Sequence, residues 1–186
     1  MAIEFNLPTY LTLLRIALIP LLAIVFYLPW EYSRVACTAV FLFAGLTDWL
    51  DGYLARKLNL ETAFGAFLDP VADKLMVAFV LVLVVQAEAS AWLAIPAAII
   101  IGREITIASL REWMAEIGQR AKVKVSQLGK WKTTAQMTAI SLLLYRDDLF
   151  GLPINEMGYW LLYLSAILTL WSMVNYLIAA FSTITE

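Results

Sequence analysis

Four aspartates are the residues of this sequence most clearly suited to chemistry. Asp48 and Asp51 are three residues apart, and Asp69 and Asp73 are four apart, so each pair lies on one face of a helix. Four carboxylates without four basic partners repel one another and become protonated unless cations neutralise them. The spacing therefore predicts that all four aspartates meet at one depth and ligate metal.

The residues available as ligands indicate which cation this site would take. The chain has no histidine and a single cysteine, Cys37, so the ligands must be oxygen atoms. Oxygen ligands favour a hard ion, Mg²⁺ or Mn²⁺, which usually keeps coordination positions for substrate phosphates. Without histidine, any general base must be another residue type.

Small residues share the helix faces that carry the acids. They are Gly52 and Ala55 beside the first aspartate pair, and Thr62 and Gly65 beside the second. Small side chains leave room for a bulky group near the backbone, and the guanidinium of Arg56 suits phosphate oxygens. Structural roles stay open as well, because small residues also allow close helix packing and acids near helix ends can extend to water.

The helices that must position these residues are long and apolar. Hydrophobic residues make up 62% of the 186 residues and charged residues 15%, against roughly 45–50% and 25% in soluble domains. A spanning helix needs roughly 20 apolar residues. We predict an all-α polytopic membrane protein with six such helices, near 8–28, 34–57, 64–87, 92–115, 128–146 and 157–182. No linker divides residues 1–186, so we expect one domain, a single bundle.

The distribution of basic residues predicts the orientation in the membrane. One side carries Arg56, Lys57, Arg120, Lys122, Lys124, Lys130 and Lys132, against Arg34 and Arg146 on the other. Since the cytoplasmic side carries the excess of Lys and Arg, both termini and a cavity holding the aspartates should face the cytoplasm. Arg120, Lys122 and Lys124 are better explained by this signal, or by a patch for lipid headgroups, than by a site.

The same residues stand at the spacing of a known family. Asp48-x-x-Asp51-Gly52-x-x-Ala55-Arg56, then eight residues, then Gly65-x-x-x-Asp69-x-x-x-Asp73, resembles the signature of the CDP-alcohol phosphotransferases without departure. The resemblance implies a homodimeric membrane enzyme that acts on the diphosphate of a CDP-activated lipid and releases CMP. It also implies two metal ions held by the first three aspartates, with Asp51 and Asp69 bridging both, and Asp73 as the base.

The expected contacts to the CDP-lipid follow from this resemblance and from the start of the first helix. They are Asn6, Thr9, Asp48, Gly52, Ala55, Arg56, Thr62 and Gly65. Arg15, also on the first helix, is expected to reach the nucleotide or the acceptor. A second possibility is that Asn6, Thr9 and Arg15 only cap the first helix. Thr9 is a candidate N-cap, but Pro8 at the first helical position would compete for that boundary.

Three further segments bear on the acceptor. Residues 6–15, 102–113 and 129–134 are similar to bacterial members of the family that use glycerol 3-phosphate. The resemblance implies transfer of a phosphatidyl group from CDP-diacylglycerol to glycerol 3-phosphate in a bacterial cytoplasmic (inner) membrane. An anionic acceptor explains the surplus of basic residues, and its phosphate is expected at Arg103, Arg111, Lys130 and Lys132. Glu104 and Glu112 are possible ion-pair partners of these residues.

The sequence leaves several competing functions open. A member of the same family could use inositol phosphate or phosphatidylglycerol as acceptor. A prenyltransferase would also bind a diphosphate through acid-bound Mg²⁺, but the spacing of the small residues and Arg56 argues against it. A cation transporter would line its path with acids, and metal flux in liposomes would reveal it. Membrane lipids are expected as the surroundings, and no nucleic acid as a partner.

Overall fold

Six α-helices follow one another in the computed structural model, which describes residues 6–58, 62–118 and 127–184. They are α1 (Leu7–Tyr27), α2 (Ser33–Leu58), α3 (Ala63–Glu88), α4 (Ala91–Glu116), α5 (Gln127–Tyr145) and α6 (Ile154–Ile184). Over these residues there is no strand, and an isolated bridge joins Leu149 to Leu152 in the turn before α6. The predicted number and order of helices are confirmed.

Four of the helices contain segments long and apolar enough to cross a membrane. These segments are Leu7–Tyr27, Ser33–Leu54, Ala91–Glu116 and Ile154–Ile178. Within the described residues α3 and α5 do not qualify. The chain is an all-α, multi-pass membrane protein, while six spans and a cavity facing the cytoplasm stay predictions.

Asn6 sets the beginning of α1. Its side chain accepts a hydrogen bond from the backbone N–H of Thr9 at 3.1 Å and another from the Thr9 hydroxyl at 2.8 Å. Pro8 is tolerated in the first turn, because a backbone N–H there has no partner within the helix. The expectation that Thr9 caps the helix was wrong, since Asn6 is the N-cap and Thr9 lies inside the first turn.

The chain divides into two compact units, which are described separately. The first unit comprises Met1–Val84 with Leu144–Asp147, and the second comprises Val85–Leu143 with Asp148–Glu186. The single domain expected over residues 1–186 stays a prediction.

In the first unit α1 packs along α2. The buried residues of α1 recur every three or four positions, which places them on one face: Pro8, Thr9, Thr12, Arg15, Leu18 and Leu22. This face is polar over its first half and apolar over its second. The apolar half belongs to a core that includes Phe41 and Ala44 of α2. The polar half is therefore available for contacts with charged residues of the neighbouring helices.

In the second unit α4 packs along α6, and α5 and α6 approach closely at Gly158. A Cβ atom added at Gly158 would lie 2.9 Å from Cγ of Leu143 and 3.2 Å from Cβ of Leu142. Small residues allow helices to approach in this way in membrane proteins.

We expect Gly158→Ala to destabilise the protein by about 1–3 kcal/mol, because the added methyl group overpacks the contact with α5. The measurement is the thermal unfolding midpoint of the purified protein in detergent. Gly102→Ala is the matched control, since a Cβ at that helical position meets no atom within 4 Å. Its midpoint should be unchanged or higher, because alanine favours a helix more than glycine does. Equal midpoints for the two variants would contradict the close contact.

Candidate functional site

Residues of α1 contact three of the four aspartates in the first unit. Nη1 of Arg15 lies 2.7 Å from Oδ1 of Asp48, and Nη2 donates a hydrogen bond to Oδ2 of Asp51. Thr12, one turn earlier, donates its hydroxyl to Oδ1 of Asp69. The polar half of the buried face of α1 is therefore the element that brings α2 and α3 acids to one place.

Burial makes the charge balance of this cluster important. Arg15 is 2% exposed and Asp51 is equally buried, whereas the side chain of Asp48 is 46% exposed. Asp51 interacts electrostatically with Asp48 and Asp69 as well as with Arg15. Asp48 and Asp51 thus share one guanidinium, and Asp69 adds a third negative charge nearby, so the cluster keeps an excess of negative charge. Uncompensated charge is costly away from water, so the cluster favours binding of a further cation.

The donors present fit a hard divalent cation in kind. They are carboxylate oxygens and a threonine hydroxyl, without nitrogen or sulfur ligands. Among the residues that the structure describes, no three acidic side chains are arranged as a metal-ligand group. The oxygens of Asp48 and Asp51 instead form ion pairs with Arg15. Nε of Arg15 is buried without a hydrogen-bond partner. The ligand roles of the four aspartates stay predictions.

Asp73 differs from the other three aspartates in its surroundings. It lies one turn beyond Asp69 on α3 and is exposed, whereas Asp51 is buried. A group that takes a proton from a substrate must be reachable by that substrate. The position of Asp73 is compatible with the predicted base and does not test that role.

Several residues expected to contact the CDP-lipid lie together. The Thr62 hydroxyl accepts a hydrogen bond from the backbone N–H of Gly65 at 3.0 Å. A Cβ atom on Gly65 would lie 3.1 Å from Oγ1 of Thr62 and 3.6 Å from Oγ1 of Thr9. Asn6 joins this group through its hydrogen bonds with Thr9. Two hydroxyl groups therefore lie close to the buried backbone of Gly65 at the start of α3, one turn before Asp69.

The remaining expected contacts in the first unit belong to α2. Gly52 is half-buried next to Asp51. Ala55 and Arg56 lie in the helix, but their side chains are outside the part of the chain that the structure describes. Their roles stay predictions.

In the second unit two of the basic residues expected at the acceptor phosphate share one glutamate. Nη1 of Arg103 lies 2.7 Å and Nζ of Lys132 lies 2.9 Å from the same Oε1 atom of Glu104. Nη2 of Arg103 also lies 3.5 Å from Oγ of Ser172. Residues of α4, α5 and α6 thus meet in a largely buried cluster, and the expectation that Glu104 forms ion pairs is confirmed.

Arg111, another basic residue expected at the acceptor phosphate, is not part of this Glu104 cluster. Arg111 is exposed and its guanidinium lies 5.6 Å from the ring centroid of Tyr176, a cation–π contact. The side chain of Lys130 lies outside the described residues, as do Arg120, Lys122 and Lys124.

A family model covers both groups of residues. The model described as CDP-alcohol phosphatidyltransferase matches residues 5–171. The chain belongs to this family. The resemblance drawn from the aspartates and their spacing is therefore confirmed. The CDP-alcohol phosphatidyltransferase family generally uses divalent metal ions, in agreement with the oxygen donors found here.

Curated relatives within the family carry the name CDP-diacylglycerol--glycerol-3-phosphate 3-phosphatidyltransferase. The protein of that name from Haemophilus influenzae is 55% identical over 174 residues, 94% of this chain and 92% of its own. Those from Pectobacterium atrosepticum and Salmonella choleraesuis are 54% and 52% identical over 177 residues, 95% of this chain and 96% of theirs. The similarity to members that use glycerol 3-phosphate is confirmed.

Sequence reasoning missed Thr12 and did not foresee the partner of Arg15. The available signal was the repetition of Pro8, Thr9, Thr12 and Arg15 at helical spacing, which puts polar groups on one face of an apolar helix. Ser172 carries no comparable signal. Its contact with Arg103 joins residues 69 positions apart, and only the packing of α4 and α6 creates it.

Proposed function

We propose that this chain transfers the phosphatidyl group from CDP-diacylglycerol to glycerol 3-phosphate, giving phosphatidylglycerophosphate and CMP. The observation that carries the proposal is the 52–55% identity, over at least 94% of the chain, to enzymes named for this reaction. The product is an anionic lipid, so the activity belongs to anionic phospholipid biosynthesis. The oxygen donors of the first unit and the basic cluster of the second support the two halves of the reaction.

The donor half of the reaction belongs to the aspartates. Asp48, Asp51 and Asp69 hold the divalent metal, with Asp73 at the edge of the ligand group. Two bound ions, Mg²⁺ or Mn²⁺, supply positive charge to the diphosphate and to the departing CMP. The guanidinium of Arg56 binds a phosphate oxygen, and the lack of side chains at Gly52 and Gly65 lets the nucleotide approach the backbone.

The bond changes require one proton acceptor. An acceptor hydroxyl oxygen bonds to the phosphorus of the phosphatidyl group, and the bond from that phosphorus to the oxygen of CMP breaks. Asp73 takes the hydroxyl proton, because it is the exposed carboxylate one turn from Asp69. Asn6, Thr9 and Thr62 contact the nucleotide through the hydroxyl and amide groups at the start of α1 and α3.

The acceptor half belongs to the basic residues of the second unit. A phosphate dianion needs charge-assisted donors, and Arg103 and Lys132 supply them from a largely buried cluster. Glu104 holds both cations in place, which lowers their cost of burial when no phosphate is bound. Arg111 and Lys130 are further proposed contacts of the acceptor phosphate. A neutral acceptor would not need these residues.

Arg103→Ala is expected to raise the KM for glycerol 3-phosphate by about 10–100-fold, since a charge-assisted contact to the acceptor phosphate is lost. The KM for CDP-diacylglycerol should change by less than about twofold, because Arg103 does not contact the donor in this assignment. Steady-state kinetics with each substrate varied in turn measure both constants. Arg34→Gln is the control, because that exposed arginine pairs with Asp147 in the first unit. A fall in kcat with both KM values unchanged would contradict the assignment.

The location and assembly implied by the resemblance form part of the same proposal. The enzyme lies in a bacterial cytoplasmic (inner) membrane, with its active site on the cytoplasmic side, and functions as a homodimer. The excess of Lys and Arg in two connections on one side supports this orientation.

Incorporation of labelled acceptors into lipid tests the proposal. Purified protein with CDP-diacylglycerol should convert glycerol 3-phosphate to a lipid and leave inositol phosphate and phosphatidylglycerol unused. Use of either of the latter would keep the donor chemistry and overturn the acceptor. Metal flux into liposomes without CDP-diacylglycerol, together with no lipid product, would instead support a transporter.

A further inference from the structure

Arg15 is a charged residue in the interior of an apolar helix. It lies in the middle of α1, within a segment long and apolar enough to cross a membrane, and is 2% exposed. A guanidinium in such a position is unfavourable unless it is paired, so its presence indicates a function. Its partners in the structure are Asp48 and Asp51, two of the residues proposed above to hold metal.

The contacts of Arg15 are unlike those of an optimal structural ion pair. Arginine usually binds one carboxylate through two parallel hydrogen bonds. Here Nη1 and Nη2 are divided between two carboxylates, Nη1 approaches Asp48 without hydrogen-bond geometry, and Nε is buried without a partner. The interaction therefore provides charge compensation but leaves donors unused. Such a pair is easier to exchange for another cation than a fully satisfied one.

We propose that Arg15 competes with divalent cations for Asp48 and Asp51. In the metal-free protein its guanidinium offsets part of the negative charge of the two carboxylates and holds α1 against α2. The same contact weakens the apparent affinity for metal, because a cation must replace an existing favourable interaction. The inference rests on the proposed role of these aspartates as metal ligands, and it makes Arg15 a positioning residue that acts on them.

The matching test compares metal binding by full-length variants in detergent, without any lipid substrate. For the wild type and Arg15→Gln, the thermal midpoint is measured in EDTA and then during a titration with Mg²⁺. Arg15→Gln should unfold at a lower temperature in EDTA, because Asp48 and Asp51 then repel each other without compensation. Half of the Mg²⁺-induced rise in its thermal midpoint (the Mg²⁺ half-effect) should be reached at an about tenfold lower Mg²⁺ concentration, because the competing charge is gone.

Two further variants make the result specific. Arg34→Gln removes an exposed arginine that pairs with Asp147 in the same unit, and its Mg²⁺ half-effect should equal that of the wild type. Arg15→Lys keeps the charge with a single ammonium group, so its half-effect should move in the same direction as that of Arg15→Gln but less. If Arg15→Gln yields no folded protein, Arg15→Lys carries the test.

The inference would be overturned if the Mg²⁺ concentration that gives half of the thermal shift were unchanged or higher in the Arg15 variants. It would also be overturned if the midpoint of the wild-type protein did not respond to Mg²⁺. Transferase activity is measured separately, as CMP release by the wild type with CDP-diacylglycerol and glycerol 3-phosphate. A failure of that assay with an intact Arg15 effect would count against the proposed function alone. Normal activity with no Arg15 effect would count against the competition alone.

Discussion

Replacement of Asp69 by asparagine is expected to lower CMP release by about a thousandfold or more, since a metal ligand on the reacting diphosphate is weakened. An amide keeps the shape of the side chain and the acceptor for the Thr12 hydroxyl, so the fold of the first unit should survive. The measurement is CMP release per enzyme at saturating CDP-diacylglycerol and glycerol 3-phosphate, over a range of Mg²⁺ concentrations.

Asp147→Asn is the matched control for this loss. Asp147 is an exposed acid of the first unit that pairs with Arg34, and its substitution should leave turnover near that of the wild type. Activity of Asp69→Asn within about tenfold of the control would contradict a ligand role for Asp69, because so small a change in barrier corresponds to a minor contact.

Replacement of Asp73 by asparagine is expected to lower kcat by about 100-fold to 10,000-fold, because the acceptor hydroxyl loses its proton acceptor. Binding of CDP-diacylglycerol should persist and should still depend on Mg²⁺, because Asp48, Asp51 and Asp69 are intact. Single-turnover kinetics and equilibrium binding of the CDP-lipid, each with Mg²⁺ and with EDTA, separate the two effects.

The comparison between the two aspartate variants tests the division of roles. Asp69→Asn should lose metal-dependent binding of CDP-diacylglycerol, whereas Asp73→Asn should keep it. Equal loss of binding in both variants would show that Asp73 acts as a ligand like the others, and another group would then have to accept the proton.

The number of helices followed from the apolar runs, and the faces that carry the aspartates followed from helical periodicity. Apolar runs of about 20 residues define helices whatever their partners, and the acids at positions 48 and 51 had to share a face of α2. The start of α1 could not be fixed in this way. Asn6 and Thr9 are both good N-cap residues on either side of Pro8, and the choice depends on local hydrogen bonds.

The partners of the charges depended on tertiary packing. Repulsion among the carboxylates predicts that a cation must be near, but does not identify it as Arg15, 36 positions before Asp51. In the second unit the residue types predict a basic cluster, whereas the shared oxygen of Glu104 depends on how α4 and α5 pack. The separation of Arg111 from Arg103, in contrast, follows from the helix alone, since residues eight positions apart on α4 lie about 12 Å apart along the helix.

The most direct test of the central claim is CMP release by the purified wild-type protein in detergent with CDP-diacylglycerol, Mg²⁺ and glycerol 3-phosphate. We predict release that requires glycerol 3-phosphate, stops when EDTA is added and returns with excess Mg²⁺. Release that persists unchanged in EDTA would contradict the metal chemistry assigned to the aspartates. No release with glycerol 3-phosphate, under conditions where the protein remains folded, would contradict the proposed transfer itself.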